Sequence, residues 1–216
     1  MRKCLTVGLT GQSGAGKTVV SEIFKEHGFG IINCDMVARE VTTSGSDCNR
    51  ELSEHFPACF DDKLTLDRRA LGAIVFADRE KLDILNSIIF KYIRQRISEH
   101  ITELEDKHDA VILDAPTLFE AQADKLCDVI VAVVADEDIR LKRIIKRDGL
   151  DERSVMQRFS SQHSTDFFRQ NSTYVIYNNG TSQDTREQTE AVINHIKEDR
   201  FGTNTNKEKN SAETTG

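Results

Sequence analysis

The sequence predicts an α/β fold, a parallel sheet flanked by helices, and three observations predict it. Continuous apolar runs of strand length recur between helical patterns: Leu5–Leu9, Ile31–Cys34, Val111–Leu113, Val129–Val134 and the shorter Val175–Ile176. Runs without polar alternation belong to strands covered on both faces. The first run leads through a glycine-rich turn straight into a helical pattern. Finally, residues 42–107 and 138–164 carry helical period with no strand pattern inside them, so they read as helical insertions beside the sheet.

Taken in order, Leu5-Thr6-Val7-Gly8-Leu9 is a buried strand, and Gly11-Gln12-Ser13-Gly14-Ala15-Gly16-Lys17-Thr18 follows it. The eight residues fit G-x-x-x-x-G-K-[ST], the phosphate-binding loop. Glycines let backbone N–H groups turn inward around dense negative charge. Lys17 is placed to reach the β- and γ-phosphates and the Thr18 hydroxyl to ligate Mg²⁺. Val19, Val20, Ile23 and Phe24 recur at helical spacing behind the loop, so a helix start aims its positive end at the same phosphates. A dinucleotide-binding site is disfavoured because G-x-G-x-x-G is absent.

Gly28 to Gly30 breaks the chain before the second strand, which ends near Asp35. A carboxylate there suits alignment and deprotonation of an acceptor hydroxyl, or it caps the helix starting at Met36. Leu82, Leu85, Ile89, Ile93, Ile97, Ile101 and Leu104 mark one long amphipathic helix. Asp114 ends the third strand, either as a carboxylate toward Mg²⁺ or as the cap of the next turn, and Pro116 shapes the loop after it. Ligands of parallel sheets bind beyond the carboxyl ends of the strands. Gly11, Asp35 and Asp114 all fall at that edge.

Arg140, Arg143 and Arg147 lie on one predicted helical face, with Leu141, Ile144 and Ile145 opposite. Asp148-Gly149 ends that helix, and a second carries Arg153, Val155, Met156, Arg158 and Phe159. The pair reads as a basic lid over phosphates or as a solvated basic face. Asn178-Asn179-Gly180 is a turn after the last strand. The guanine signature Asn-Lys-x-Asp is absent there, which favours ATP.

Composition narrows the classes. A chain of 216 residues with 38% hydrophobic content forms one sizeable domain, or a core with insertions. A net charge of -7 argues against general nucleic-acid binding. No apolar run approaches a membrane span, and Met1-Arg2-Lys3-Cys4 leads at once into a strand, so no signal peptide is expected. The five cysteines, Cys4, Cys34, Cys48, Cys59 and Cys127, are odd in number and lack C-x-x-C spacing. Free thiols of a reducing cytoplasm are therefore expected. The polar tail from Gly202 to Gly216 has no apolar period and is expected to be disordered.

One family resembles this ordered set closely. The P-loop, Cys34-Asp35-Met36-Val37-Ala38-Arg39, Leu66-Asp67-Arg68-Arg69-Ala70-Leu71 with Val75-Phe76, Ala115-Pro116-Thr117-Leu118-Phe119-Glu120, Arg140-Leu141-Lys142-Arg143, Arg147 with Gly149-Leu150, Gln162 and Ile176-Tyr177-Asn178-Asn179-Gly180 fall in the order of the dephospho-coenzyme A kinases. The resemblance implies a P-loop kinase core at residues 1–41, 108–137 and 165–201, a helical region at 42–107 that binds the CoA substrate, and a helical lid at 138–164, followed by the tail at 202–216. It implies ATP- and Mg²⁺-dependent phosphorylation of the ribose 3′-hydroxyl of dephospho-CoA, in the cytoplasm, by a monomer or weak homo-oligomer. No nucleic-acid or membrane partner is implied.

By the same resemblance Asp35, Lys17 and Arg143 are catalytic. Arg39 and Arg68 join Asp35 on the acceptor side; the metal candidates remain Thr18 of the loop and Asp114 of the strand end, as read above. Residues Gly11 to Thr18, Arg143, Arg147, Asn178 and Gly180 contact ATP. The chain departs from the family pattern at Phe90-Lys91, where a His-Pro pair is usual, at Pro116-Thr117-Leu118, usually Pro-Leu-Leu, and at Phe168, where a basic residue is common. The residues themselves also allow another small-molecule or nucleotide kinase on the same core, or a nucleotide-binding regulator descended from one.

Overall fold

The computed structural model describes residues 4–212. Its strands are β1 (Leu5–Gly11), β2 (Gly30–Asn33), β3 (Ala110–Asp114), β4 (Val129–Val134) and β5 (Tyr174–Tyr177), in the sheet order β2-β3-β1-β4-β5. β1 with β3, β2 with β3, and β4 with β5 pair in parallel. Every described position of β1 and β3 is buried, as unbroken apolar runs require of strands covered on both faces. The chain folds as two compact units. Among the described residues, one takes in 4–10 together with Phe29–Ile130; the other takes in Gly11–Gly28 together with 131–212.

In the first unit, α2 (Cys34–Val41), α3 (Asp47–His55), α4 (Arg68–Val75) and α5 (Arg79–Leu104) follow one another, with a short 3-10 turn at Pro57–Cys59. The long helix read from residues 82–104 begins slightly earlier because Asp78 caps it, accepting from the N–H groups of Glu80 and Lys81. Its Ile93, Ile97 and Ile101 pack with Ile32, Val37, Val111 and Leu113. Its other side, at Ile88, joins Leu52, Phe56, Leu71 and Val75. Each such side chain contributes about 1.5–3 kcal/mol through burial, so α5 is the spine on which α2 and α4 rest.

In the second unit, α1 (Lys17–Glu26) follows the glycine loop. Helices α6 (Glu137–Asp148) and α7 (Glu152–Ser160) form the expected hairpin, turning at Gly149 with φ 67°. α8 (Thr165–Asn171) precedes β5. α9 (Ser182–Ala212) opens with a reciprocal cap: Thr181 N–H donates to Asp184 Oδ2 and Asp184 N–H to Thr181 Oγ1.

Several sequence readings shift. The second strand stops at Asn33 and Cys34 already belongs to α2, because the Asn33 side chain accepts from Met36 N–H and so starts the helix there. α9 runs on to Ala212, through residues 202–212 that were expected to be disordered. Once a helix exists, adding a proline-free segment costs far less than nucleating one. Residues 1–3 and 213–216 of the sequence reading lie outside the described residues. All five cysteines are free, and burial pushes the Cys48 thiol up to about 11. Among the described residues, no helix is long and apolar enough to cross a membrane.

Candidate active site

The glycine loop is built for close approach. Gly11 has φ 153°, and a Cβ there would strike the Val133 carbonyl oxygen. Gly16 has φ 95°, and a Cβ there would strike the Asn178 side chain. Two side chains beyond the loop tie it down: Ser13 N–H donates to Gln162 Oε1 at 3.1 Å, and Gln12 Nε2 donates to Thr165 Oγ1 at 3.3 Å. α1 then begins with Lys17 and Thr18, and no side chain caps its N-terminus at Gly16. The first-turn N–H groups of a helix have no intrahelical acceptor, so this end suits an anion.

Asn178 brackets the same loop. It is 7% exposed, its Nδ2 donates to Ala15 O at 2.8 Å, and its Oδ1 accepts from Thr185 Oγ1 at 2.8 Å and from Arg143 at 3.2 Å. Arg143 also reaches Gly14 O at 3.4 Å. Both residues were expected on ATP. In this structure Arg143 lies against the loop, while the Asn178 amide is spent on protein partners. Gly180 sits in the exposed turn that leads to the α9 cap.

The single basic face expected of α6 divides into separate environments. Arg140 is 5% exposed, its guanidinium lies 4.1 Å from the Phe159 ring centre, and its Nε donates to Ala135 O at 3.1 Å. Burial pulls its pKa down, while Glu137 opposes this. Arg147 forks onto its neighbour Asp148, at 2.7 and 3.0 Å, and Arg158 adds a third bond at 3.0 Å. Those two guanidinium groups hold the Asp148 carboxyl down at about 2. The predicted apolar face also divides: Ile144 is buried with Val155 and Phe159, and Ile145 is exposed.

Asp35, expected to meet the acceptor, is exposed in the first turn of α2. The capping role belongs to Asn33, so Asp35 is not the N-cap. Arg39 is exposed in the last turn. α2 is fastened to α5 through Glu40, which accepts from Arg96 Nε at 2.7 Å and meets His100 at 3.1 Å. Arg68 donates to Thr42 Oγ1 at 2.6 Å, and Thr42 Oγ1 donates to Ala38 O at 2.8 Å. Thr42 thus ties the first residue of α4 to the end of α2. Helical periodicity gave no signal of this contact.

Asp114 closes β3, 8% exposed, in register with Leu9 of β1 and Asn33 of β2. Among the described residues, no group of three or more His, Cys, Asp or Glu side chains could hold a metal ion. An Mg²⁺ that arrives with phosphates keeps waters of its own and needs no all-protein cage.

The departures are accommodated locally. Phe90 packs against the Ile93–Ile97 cluster. Lys91 pairs with Glu51 of α3 and lies over the Tyr92 ring. Leu118 is buried beside Ala115 and Ala123. Phe168 is buried edge-on to His163 and Phe167.

A family model described as dephospho-CoA kinase matches residues 5–184. A Geobacillus kaustophilus protein named dephospho-CoA kinase is 35% identical over 191 residues, 88% of this chain and 95% of that protein. An Oryza sativa subsp. japonica protein of the same name is 32% identical over 197 residues, 89% of this chain and 84% of that one. Among solved structures, TT1252 from Thermus thermophilus aligns with a TM-score of 0.77 at 27% identity, over 90% of this chain and 99% of that one. Dephospho-CoA kinase from Campylobacter jejuni shares the fold, with a TM-score of 0.59 at 24% identity over 90% and 98%.

Proposed function

The chain belongs to the dephospho-CoA kinase family, and we propose that it phosphorylates the ribose 3′-hydroxyl of dephospho-CoA with ATP, giving CoA and ADP, the last step of CoA synthesis. The observation that carries this reading is the family match over residues 5–184, which spans the glycine loop and the run Asp35 to Arg39. A kinase of this family transfers phosphate to an alcohol.

In our reading the loop N–H groups and the start of α1 hold the phosphates, and Lys17 neutralises charge that grows on the β–γ bridge during transfer. Thr18 and Asp114 are the proposed oxygen donors to Mg²⁺, which when bound neutralises phosphate charge. Asp35 orients the acceptor hydroxyl and takes its proton late in transfer. Arg39 and Arg68 bind the anionic acceptor; Arg143 and Arg147 serve ATP, Arg147 by leaving Asp148. Residues 138–164 act as the lid. The free thiols fit a reducing cytoplasm, and we assign the protein there as a monomer or weak homo-oligomer.

The test is ADP release from Mg-ATP with and without dephospho-CoA, with mass spectrometry of the product. Acceptor-dependent ADP and a product one phosphate heavier are expected. ATP binding with no phosphorylated product overturns the assignment, and nucleoside monophosphates and shikimate then become the acceptors to try.

A further inference from the structure

Within the second unit, a cavity of about 610 Å³ is lined by Gln12, Arg140, Phe159, Gln162, His163 and Tyr177, among others. Its volume lies in the range of small-molecule sites. Arg140 is its unusual member. The side chain is 5% exposed, yet among the described residues it forms no ion pair, and its buried Nη1 has no hydrogen-bond partner. Asp136 and Glu137 also border the cavity, but both are exposed; Asp136 meets Arg140 only backbone to backbone, and Glu137 acts on the guanidinium through its charge without a hydrogen bond or ion pair to it. Ala135 O and the Phe159 face satisfy part of the guanidinium. A buried cation with no anion in contact is costly, and such charges are normally paired.

We propose that this cavity binds a small anion, a carboxylate or a phosphate ester with a flat or apolar body. The forked face of Arg140 takes the anionic group, as guanidinium geometry suits both chemistries. Phe159, His163 and Tyr177 flank the body. The site reports to the nucleotide loop, because Gln12 and Gln162 line the cavity and the same side chains fasten the loop, Gln162 through Ser13 N–H.

The test is a ¹⁵N NMR titration of the nucleotide-free chain with inorganic phosphate and, separately, with benzoate. It reads the Arg140 Nε–H, which is sheltered on Ala135 O, and the Ser13 amide. Lys17→Ala is titrated in parallel to remove anion binding at the glycine loop. With at least one probe, both resonances are expected to move together and saturate at millimolar concentration in wild type and Lys17→Ala, while in Arg140→Gln, which has no Arg Nε–H, the Ser13 amide is expected not to move. Movement with phosphate alone identifies a phosphate ligand, and movement with benzoate alone identifies a carboxylate. No saturable movement up to about 50 mM of either probe, or movement that survives Arg140→Gln, overturns the site. Movement at Arg140 without Ser13 overturns the link to the loop. If Arg140→Gln does not fold, Arg140→Lys keeps the charge and loses the fork. It is expected to weaken binding about tenfold, and unchanged binding in it also overturns the site.

Discussion

The arginines of α6 and those around α2 are set up in opposite ways. Arg140 stacks on Phe159, Arg143 rests on Gly14 and Asn178, and Arg147 forks onto Asp148. Arg39, by contrast, is exposed with no side-chain partner among the described residues, and Arg68 is steadied by Thr42 alone. The α6 arginines are held by protein groups, Arg147 in a pair that our proposal has it leave, whereas Arg39 and Arg68, proposed to meet the acceptor, are exposed. A fixed cation costs little to organise when charge develops on a phosphoryl group. An open one gives up more side-chain freedom on binding, so its contribution falls on affinity.

The largest expected effect tests whether the acceptor side carries chemistry at all. Asp35→Asn is expected to lower kcat by roughly 10²–10⁴-fold and to leave ATP affinity, read by calorimetry, unchanged. Normal turnover in this variant removes Asp35 from the mechanism. Lys17→Ala is expected to reduce ATP-dependent turnover by roughly 10²–10³-fold, the scale for one electrostatic donor, in steady-state assays at saturating dephospho-CoA.

The next pair sharpens the contrast directly. Asn178→Ala strips partners from Ala15 O, Arg143 and Thr185 and is expected to cost about 1–3 kcal/mol of stability. It should raise KM for ATP and leave KM for the acceptor alone. Arg39→Ala is expected to raise KM for dephospho-CoA about tenfold, near 1.4 kcal/mol, with no change in Tm. A fall in Tm for Arg39→Ala, or none for Asn178→Ala, breaks the comparison. The smallest effect concerns Asp148. Its folded pKa is lowered, so the Arg147 and Arg158 pairs stabilise the fold above the ordinary carboxylate range and cease to as pH falls through about 2. Tm measured against pH is therefore expected to lie slightly higher for wild type than for Asp148→Asn near neutrality. The two curves should converge toward pH 2.

How far the sequence disclosed this arrangement depended on the range of the forces involved. β1, the glycine loop and α1 are local patterns, and they form where the apolar run and the G-K-T motif place them. Asp35 was within reach of local reading too, but Asn33 competes for the cap, and the winner depends on where β2 stops. The face of α6 was not legible. Helical spacing aligns residues 140, 143 and 147, but it does not show that Phe159 of α7 covers the first of them. Nor does any period announce that Thr42 and Arg68, far apart in the chain, share a hydrogen bond. Asn178 was read as a turn residue and, by the resemblance, as an ATP contact; that it also clasps the loop was not legible, because its partners come from three separate segments.

The register of β1 on β3 sets the timing of assembly on the ribosome. Leu5 pairs with Ala110, so the strand that feeds the nucleotide loop is made about a hundred residues before its neighbour. At ordinary rates of translation it waits roughly 5–20 s as a bare apolar ribbon. The strand that leads into the glycine loop is thus among the first segments synthesised, and it stays unpaired until β3 has followed it.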